Sequence, residues 1–199
     1  MRGFAAIPRW TTKPVPGVGT HVAKAPADLM ATLRGLAEEL GVPLGSVLLT
    51  AHAKVLVALS GESDVCTGYA PGAEPPLPLR ITLRPGSWRE ALLGTARAQS
   101  ALQPDGRSPA DGLDREPTGP SFETVFQLGQ GGGELADGIV LHVLVKGVVN
   151  GGVGGHDGCE LEVRYRTDVL DDACAARIAG YHVSALSSIA ADPDADHGR

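Results

Sequence analysis

Residues 44–59, LGSVLLTAHAKVLVAL, place apolar side chains on every side of a helical projection, with Lys54 the only formally charged residue among them. A helix that is apolar all round belongs in the centre of a core or in lipid. No window of about 18 consecutive apolar residues occurs in the chain, so a membrane span is excluded and the helix must be wrapped by the rest of the protein. Suitable covering elements flank it. Upstream, Leu29, Leu33, Leu36 and Leu40 repeat at helical spacing on one face, behind a start at Pro26 and Asp28 and ahead of a stop at Gly41. Downstream, Gly61 falls where a left-handed cap is needed, and the period then changes from helix to strand.

Strands are expected at 20–25, 64–69 and 79–84, the last alternating apolar and polar residues as a sheet with one solvated face requires. Ser87-Trp88-Arg89-Glu90 has the spacing of a capping box and opens a helix that runs to Leu102. A polar loop follows at 103–121. Three further strands are expected at 122–128, 138–145 and 159–167, the last alternating Leu161, Val163 and Tyr165 with Glu160, Glu162, Arg164 and Arg166. Asn150-Gly151-Gly152 lies between the second and third of these, which predicts a hairpin with a long tip. Asp171 or Asp172 caps a final helix that ends before Pro193, and the polar tail 194–199 is expected to fray. The order β-α-α-β-β-α-β-β-β-α over 199 residues predicts one α/β (α+β) domain, a mixed β-sheet flanked by helices. Residues 1–19, broken by Pro8, Pro14, Pro16, Gly17 and Gly19, read as an irregular N-terminal arm.

The net charge of −6 argues against nucleic-acid binding, which needs a basic stripe. Arg2 is not followed by an apolar h-region, so a secretory signal is not expected. The three cysteines, Cys66, Cys159 and Cys174, are far apart and form no C-x-x-C, which predicts buried thiols and a cytoplasmic protein. No Walker loop, H-x-x-x-H or H-E-x-x-H occurs, so no cofactor and no metal ligand set is predicted. His156, in Gly155-His156-Asp157-Gly158, is the one catalytic candidate. Asp157 is adjacent to it, so the two side chains diverge, and residues 150–158 are glycine-rich; a turn is the expectation and a general base is not. His52, His142 and His182 have no acidic or thiol neighbour in sequence that would recruit them, and His52 reads as a core or helix-interface residue.

The stretch 33–69, LRGLAEELGVPLGSVLLTAHAKVLVALSGESDVCTGY, resembles nonribosomal peptide synthetase condensation domains, where two helices lead into an "sGe.DV..G" strand; Ser60, Gly61, Glu62, Asp64, Val65 and Gly68 match it. Leu77-Pro78-Leu79-Arg80 is similar to the family's "LPLR" strand, residues 120–126 to its "Plf.vvf" strand, and 162–193 to its closing "l.Y.tdlfd" strand and final helix. All four lie, in order, in the C-terminal lobe of that two-lobed, chloramphenicol-acetyltransferase-like fold. The resemblance therefore implies half a condensation fold over 20–193, with 194–199 as a polar tail or the start of an interdomain linker. The family's catalytic H-H-x-x-x-D-G motif belongs to the other lobe and has no match here. The segment before "LPLR" and the region after Leu102 are also reduced, both where a substrate tunnel would be roofed.

What the resemblance implies is a truncated, non-catalytic condensation-like domain, a structural or docking element beside an adenylation domain and, secondarily, a carrier-protein domain of the same synthetase. The alternative is an acyltransferase half-site completed by a lobe from another chain. A freestanding chloramphenicol-acetyltransferase-like enzyme using His156 is a third reading. A lobe without its mate leaves a face that must be repolarised, covered by the apolar arm residues Phe4, Ile7 and Trp10, or buried on a partner.

Overall fold

The computed structural model describes residues 7–102, 122–129, 135–149, 152–153 and 158–198. The elements run β1 (Val18–Ala25), α1 (Ala27–Leu40), α2 (Leu44–Ser60), β2 (Asp64–Ala70), β3 (Leu77–Thr82), α3 (Trp88–Ser100), β4 (Thr124–Leu128), β5 (Leu141–Lys146), β6 (Val148–Val149), β7 (Gly152–Val153), β8 (Cys159–Arg166) and α4 (Asp172–Ala191). Six strands form one mixed sheet in the order β1-β8-β5-β4-β2-β3, while β6 and β7 form a small separate ribbon. The central β2, β4 and β5 are parallel, and β1, β8 and β3 run antiparallel to their neighbours.

α2 is the hub. Val47, Leu49 and Leu56 have no exposed surface, and Leu48 and Val55 have 2% each. The helix packs on β2 and β4 and is flanked by α1, α3 and α4. Its ends are set by backbone chemistry. Pro43 precedes it, and Gly61, at φ 74°, closes it by donating its N–H to Val57 O. Gly41 ends α1 in the same left-handed conformation at φ 64°, which side chains with a Cβ adopt at a cost. The capping box at Ser87 and Glu90 is formed as expected, and Asp171, rather than Asp172, caps α4 by accepting from Cys174 N at 2.8 Å. Among the described residues no single helix is long and apolar enough to cross a membrane.

Leu161, Val163 and Tyr165 of β8 face the helices and are buried, as their alternation predicts. Gly19 of β1 lies under the Tyr165 ring, where a Cβ would collide with it. Three expectations are corrected. Phe122 does not extend β4: Glu123 O is taken by Val140 N and Leu141 N, the chain turns, and the Phe122 ring covers Gly68 on the face away from the helices. Residues 138–140 likewise form a turn, with Gly138 at φ 83° and Ile139 N bonded to Ala136 O, so β5 starts at Leu141. Residues 194–198 of the tail are docked rather than frayed. The first N–H groups of α3 have no partner in their own helix. Arg89 N donates to Pro193 O (2.7 Å) and Trp88 N to Ala195 O (3.1 Å), while His197 is buried against Trp88 with its Nε2 donating to Arg84 O (2.8 Å).

Leu56→Ala is expected to lower unfolding free energy by about 2–5 kcal/mol through the cavity it leaves. Gly68→Ala is expected to cost about 1–3 kcal/mol because the new methyl must displace the Phe122 ring. Urea denaturation of both variants checks this; parent-like midpoints would show that neither contact is tight.

Candidate functional site

His156 and the Gly131-Gly132-Gly133 run lie outside the described residues. The structure instead joins two histidines that sequence kept apart. His52 of α2 and His182 of α4 meet in the core at 0% and 1% exposure, ring beside ring. Ile178 O can only accept, so His182 Nδ1 carries the proton that it donates there (2.7 Å). His182 Nε2 is then an acceptor, and His52 Nδ1–H donates to it (3.0 Å). His52 Nε2 accepts in turn from Thr67 Oγ1 (3.3 Å), whose alternative acceptor is Thr124 O (3.1 Å), and Thr124 Oγ1 donates to Thr67 Oγ1 (3.0 Å). The chain of hydrogen bonds ties β4 and β2 to α2 and α4, and it requires both imidazoles to be neutral. Burial, then the neighbouring His182 and His142, hold His52 well below its ordinary value. Burial takes His182 to about 4 against the Ile178 carbonyl, which favours the charged ring. No solvent reaches either ring, so the pair is a structural staple and not an acid–base site.

The second polar group lies on the helix-free face, over β5 and β8. Glu162 is 7% exposed and is paired with both Lys146 and Arg164, while Lys146 also reaches Glu160 at 3.4 Å. Burial would raise the Glu162 carboxyl, but the Lys146 and Arg164 cations outweigh it and hold it below the usual range. Bonding to Glu162 raises Lys146 correspondingly. His142, opposite Arg164 in the register, is pushed down to about 4 by burial and then by the Arg164 charge, with Glu162 opposing. Its Nε2 is buried with no hydrogen-bond partner among the described residues. At pH 7 this face therefore presents a neutral imidazole and a neutralised lattice of charges. A general base works best with a pKa near the operating pH, and His142 lies well below that. Among the described residues no group of three or more His, Cys, Asp or Glu side chains could hold a metal ion.

Sequence reasoning placed His52 in the core but missed its partner, which is 130 positions away. The signal available was a second histidine, His182, within another largely apolar helix.

No family model matches the chain. The AMB antimetabolite synthetase AmbE of Pseudomonas aeruginosa is 27% identical over 91% of this chain and 10% of its own length. The X-domain from teicoplanin biosynthesis superposes with a TM-score of 0.74 at 19% identity, over 98% of this chain and 53% of that one. The condensation domain of the Monacolin K polyketide synthase MokA does so at 0.69 and 18%, over 90% and 48%. The fold is thus that of about half a condensation domain, a six-stranded mixed sheet with four helices, and the chain spans a tenth of the curated synthetase it matches.

Because the folded-state values of His52 and His182 are depressed, their stabilisation is complete above the unfolded value near 6.5 and is lost as pH falls through the folded values, for His182 about 4, by about 1.4 kcal/mol per pH unit for each histidine that titrates. His182→Leu is expected to cost about 1–3 kcal/mol at pH 7.5, by leaving His52 Nδ1–H unpaired. It should also shallow the acid slope. Denaturant titrations at pH 7.5, 5.5 and 4.5 compare parent and variant; parallel curves would exclude titration of the pair.

Proposed function

We propose that this chain is the C-terminal lobe of a condensation-like domain in a nonribosomal peptide synthetase. In this reading it works without catalysing condensation, as a structural or docking element next to an adenylation domain. The observation that carries the reading is the match of nearly the whole chain to about half of solved condensation-type domains, in a sequence without H-H-x-x-x-D-G. The helix-free face supports it: its charges are spent on one another and its histidine is held neutral, which suits a contact surface better than proton transfer. The teicoplanin X-domain has been solved in complex with OxyB, and the similar fold of AB3403 occurs within a four-domain nonribosomal peptide synthetase. The first puts such a fold in a complex with another protein, and the second puts it in one chain with further synthetase domains. Cys66, Cys159 and Cys174 form no disulfide, which is consistent with a reducing, cytoplasmic setting. The alternative is an acyltransferase half-site completed by a lobe from another chain.

The test joins the chain to the adenylation domain of its synthetase. Adenylation rate and melting temperature are measured with and without it, and condensed product is sought with donor and acceptor carrier proteins. The expected outcome is a higher melting temperature or rate in the joined form and no product above the uncatalysed level. Product above that level overturns this reading: product that needs a lobe from another chain selects the half-site, and product from the chain alone that His156→Ala abolishes selects the freestanding enzyme.

A further inference from the structure

The two edges of the sheet are built differently. β3, at one edge, carries Pro78 within the strand and the exposed Arg80–Asp64 ion pair, devices that discourage further pairing. β1, at the other, is eight residues long, unbroken in register, and contains neither proline nor bulge. Val18 and Val22 are 57% and 45% exposed on it, and among the described residues no strand pairs with its outer side. Its single charge, Lys24, stands at the end of the strand opposite Glu160.

The direction of the unused backbone groups follows from two hydrogen bonds. Arg166 N donates to Val140 O, and Thr167 N donates to Gly17 O. Even-numbered residues of β8 therefore bond toward β5 and odd-numbered ones toward β1. In the register that pairs Gly19 with Tyr165 and His21 with Val163, the residues of β1 whose N–H and C=O point outward are Val18, Thr20, Val22 and Lys24.

We propose that β1 pairs antiparallel with β1 of a second copy of this chain, about a two-fold axis through His21, joining two sheets into one. This centre opposes Val18 to Lys24 and Thr20 to Val22 on both sides of the axis, so every outward group is used. Pro16 and Pro26 bound the run, and a different centre leaves at least one of the four residues unopposed. Charge favours the same occupant. β8 is acidic at one end, with Glu160 and Glu162, and basic at the other, with Arg164 and Arg166. The two-fold puts Glu160 and Lys24 in one row with the second copy's Val18 and Arg166, so unlike ends of the two β8 strands face each other across the joint. Glu160 and Arg166 keep 37% and 42% side-chain exposure while paired with Lys146 and Asp168, so their charges remain in solvent on either side of that seam. A parallel or translated addition would align like with like.

Sedimentation velocity of the whole chain over about 5 to about 500 μM tests association in the weak range that a small interface permits. The expected result is a mass rising toward twice that of the monomer, abolished in Val22→Pro with unchanged circular dichroism. The register is read by His21→Cys. At the axis the two residues form a non-hydrogen-bonded pair with Cα atoms about 4.5 Å apart, within disulfide reach. Mild oxidation should therefore give a covalent dimer for His21→Cys, and none for the parent or for Thr20→Cys. A parent that stays monomeric over the whole range overturns the proposal. So does association that resists Val22→Pro, or that leaves His21→Cys uncrosslinked. If Val22→Pro fails to fold, the His21→Cys result decides.

Discussion

Burial of α2 is the constraint on which the other elements depend. A helix without a polar side cannot lie on a surface, so the sheet must pass beneath it and α1, α3 and α4 must flank it. Its one buried ionisable side chain, His52, would be a liability in such a place, because an unpaired buried donor costs about 1–3 kcal/mol. The structure resolves this by aligning His182, Thr67 and Thr124 so that each donor finds an acceptor and the chain of bonds ends on a carbonyl. Apolar packing supplies the bulk of the attraction. The polar chain ties α4 and the β2–β4 pair to α2.

The two faces of the sheet meet opposite demands. The helix side is sealed with Leu, Val, Phe and Tyr. The other side is what a lone lobe would leave bare, and here it is largely repolarised. Lys146, Glu160, Glu162 and Arg164 neutralise one another over β5 and β8, and Phe122 with the turn at 138–140 covers Gly68 and Val125 over β2 and β4. Of the arm's described residues, Ile7 and Trp10 pack into the main core, where Trp10 N bonds Val169 O and the Trp10 ring stacks under Arg177. Phe4 lies outside the described residues.

The order of the helices and of the six main-sheet strands, both glycine stops, the capping box and the burial of α2 were legible in the sequence. Each depends on local chemistry: periodicity over a few turns, a left-handed cap, a side chain reaching three residues along its own chain. The family likeness was legible for the same reason, as short motifs in a fixed order. The docked tail was not, because residues 192–198 contain nothing that marks them as partners for the first amides of α3.

Sequence by itself therefore determined the order of the four helices and the six strands of the main sheet, which helix is central, and that the chain lacks the H-H-x-x-x-D-G motif. Tertiary structure alone decided which histidines share a hydrogen bond, that Glu162 is a buried carboxylate between two cations, and which sheet edge is left open. Those outcomes depend on side chains far apart in the chain, and a hydrogen bond or an ion pair depends on position in space to within a fraction of an ångström. Strand order sets that position, and no local pattern in the sequence encodes it.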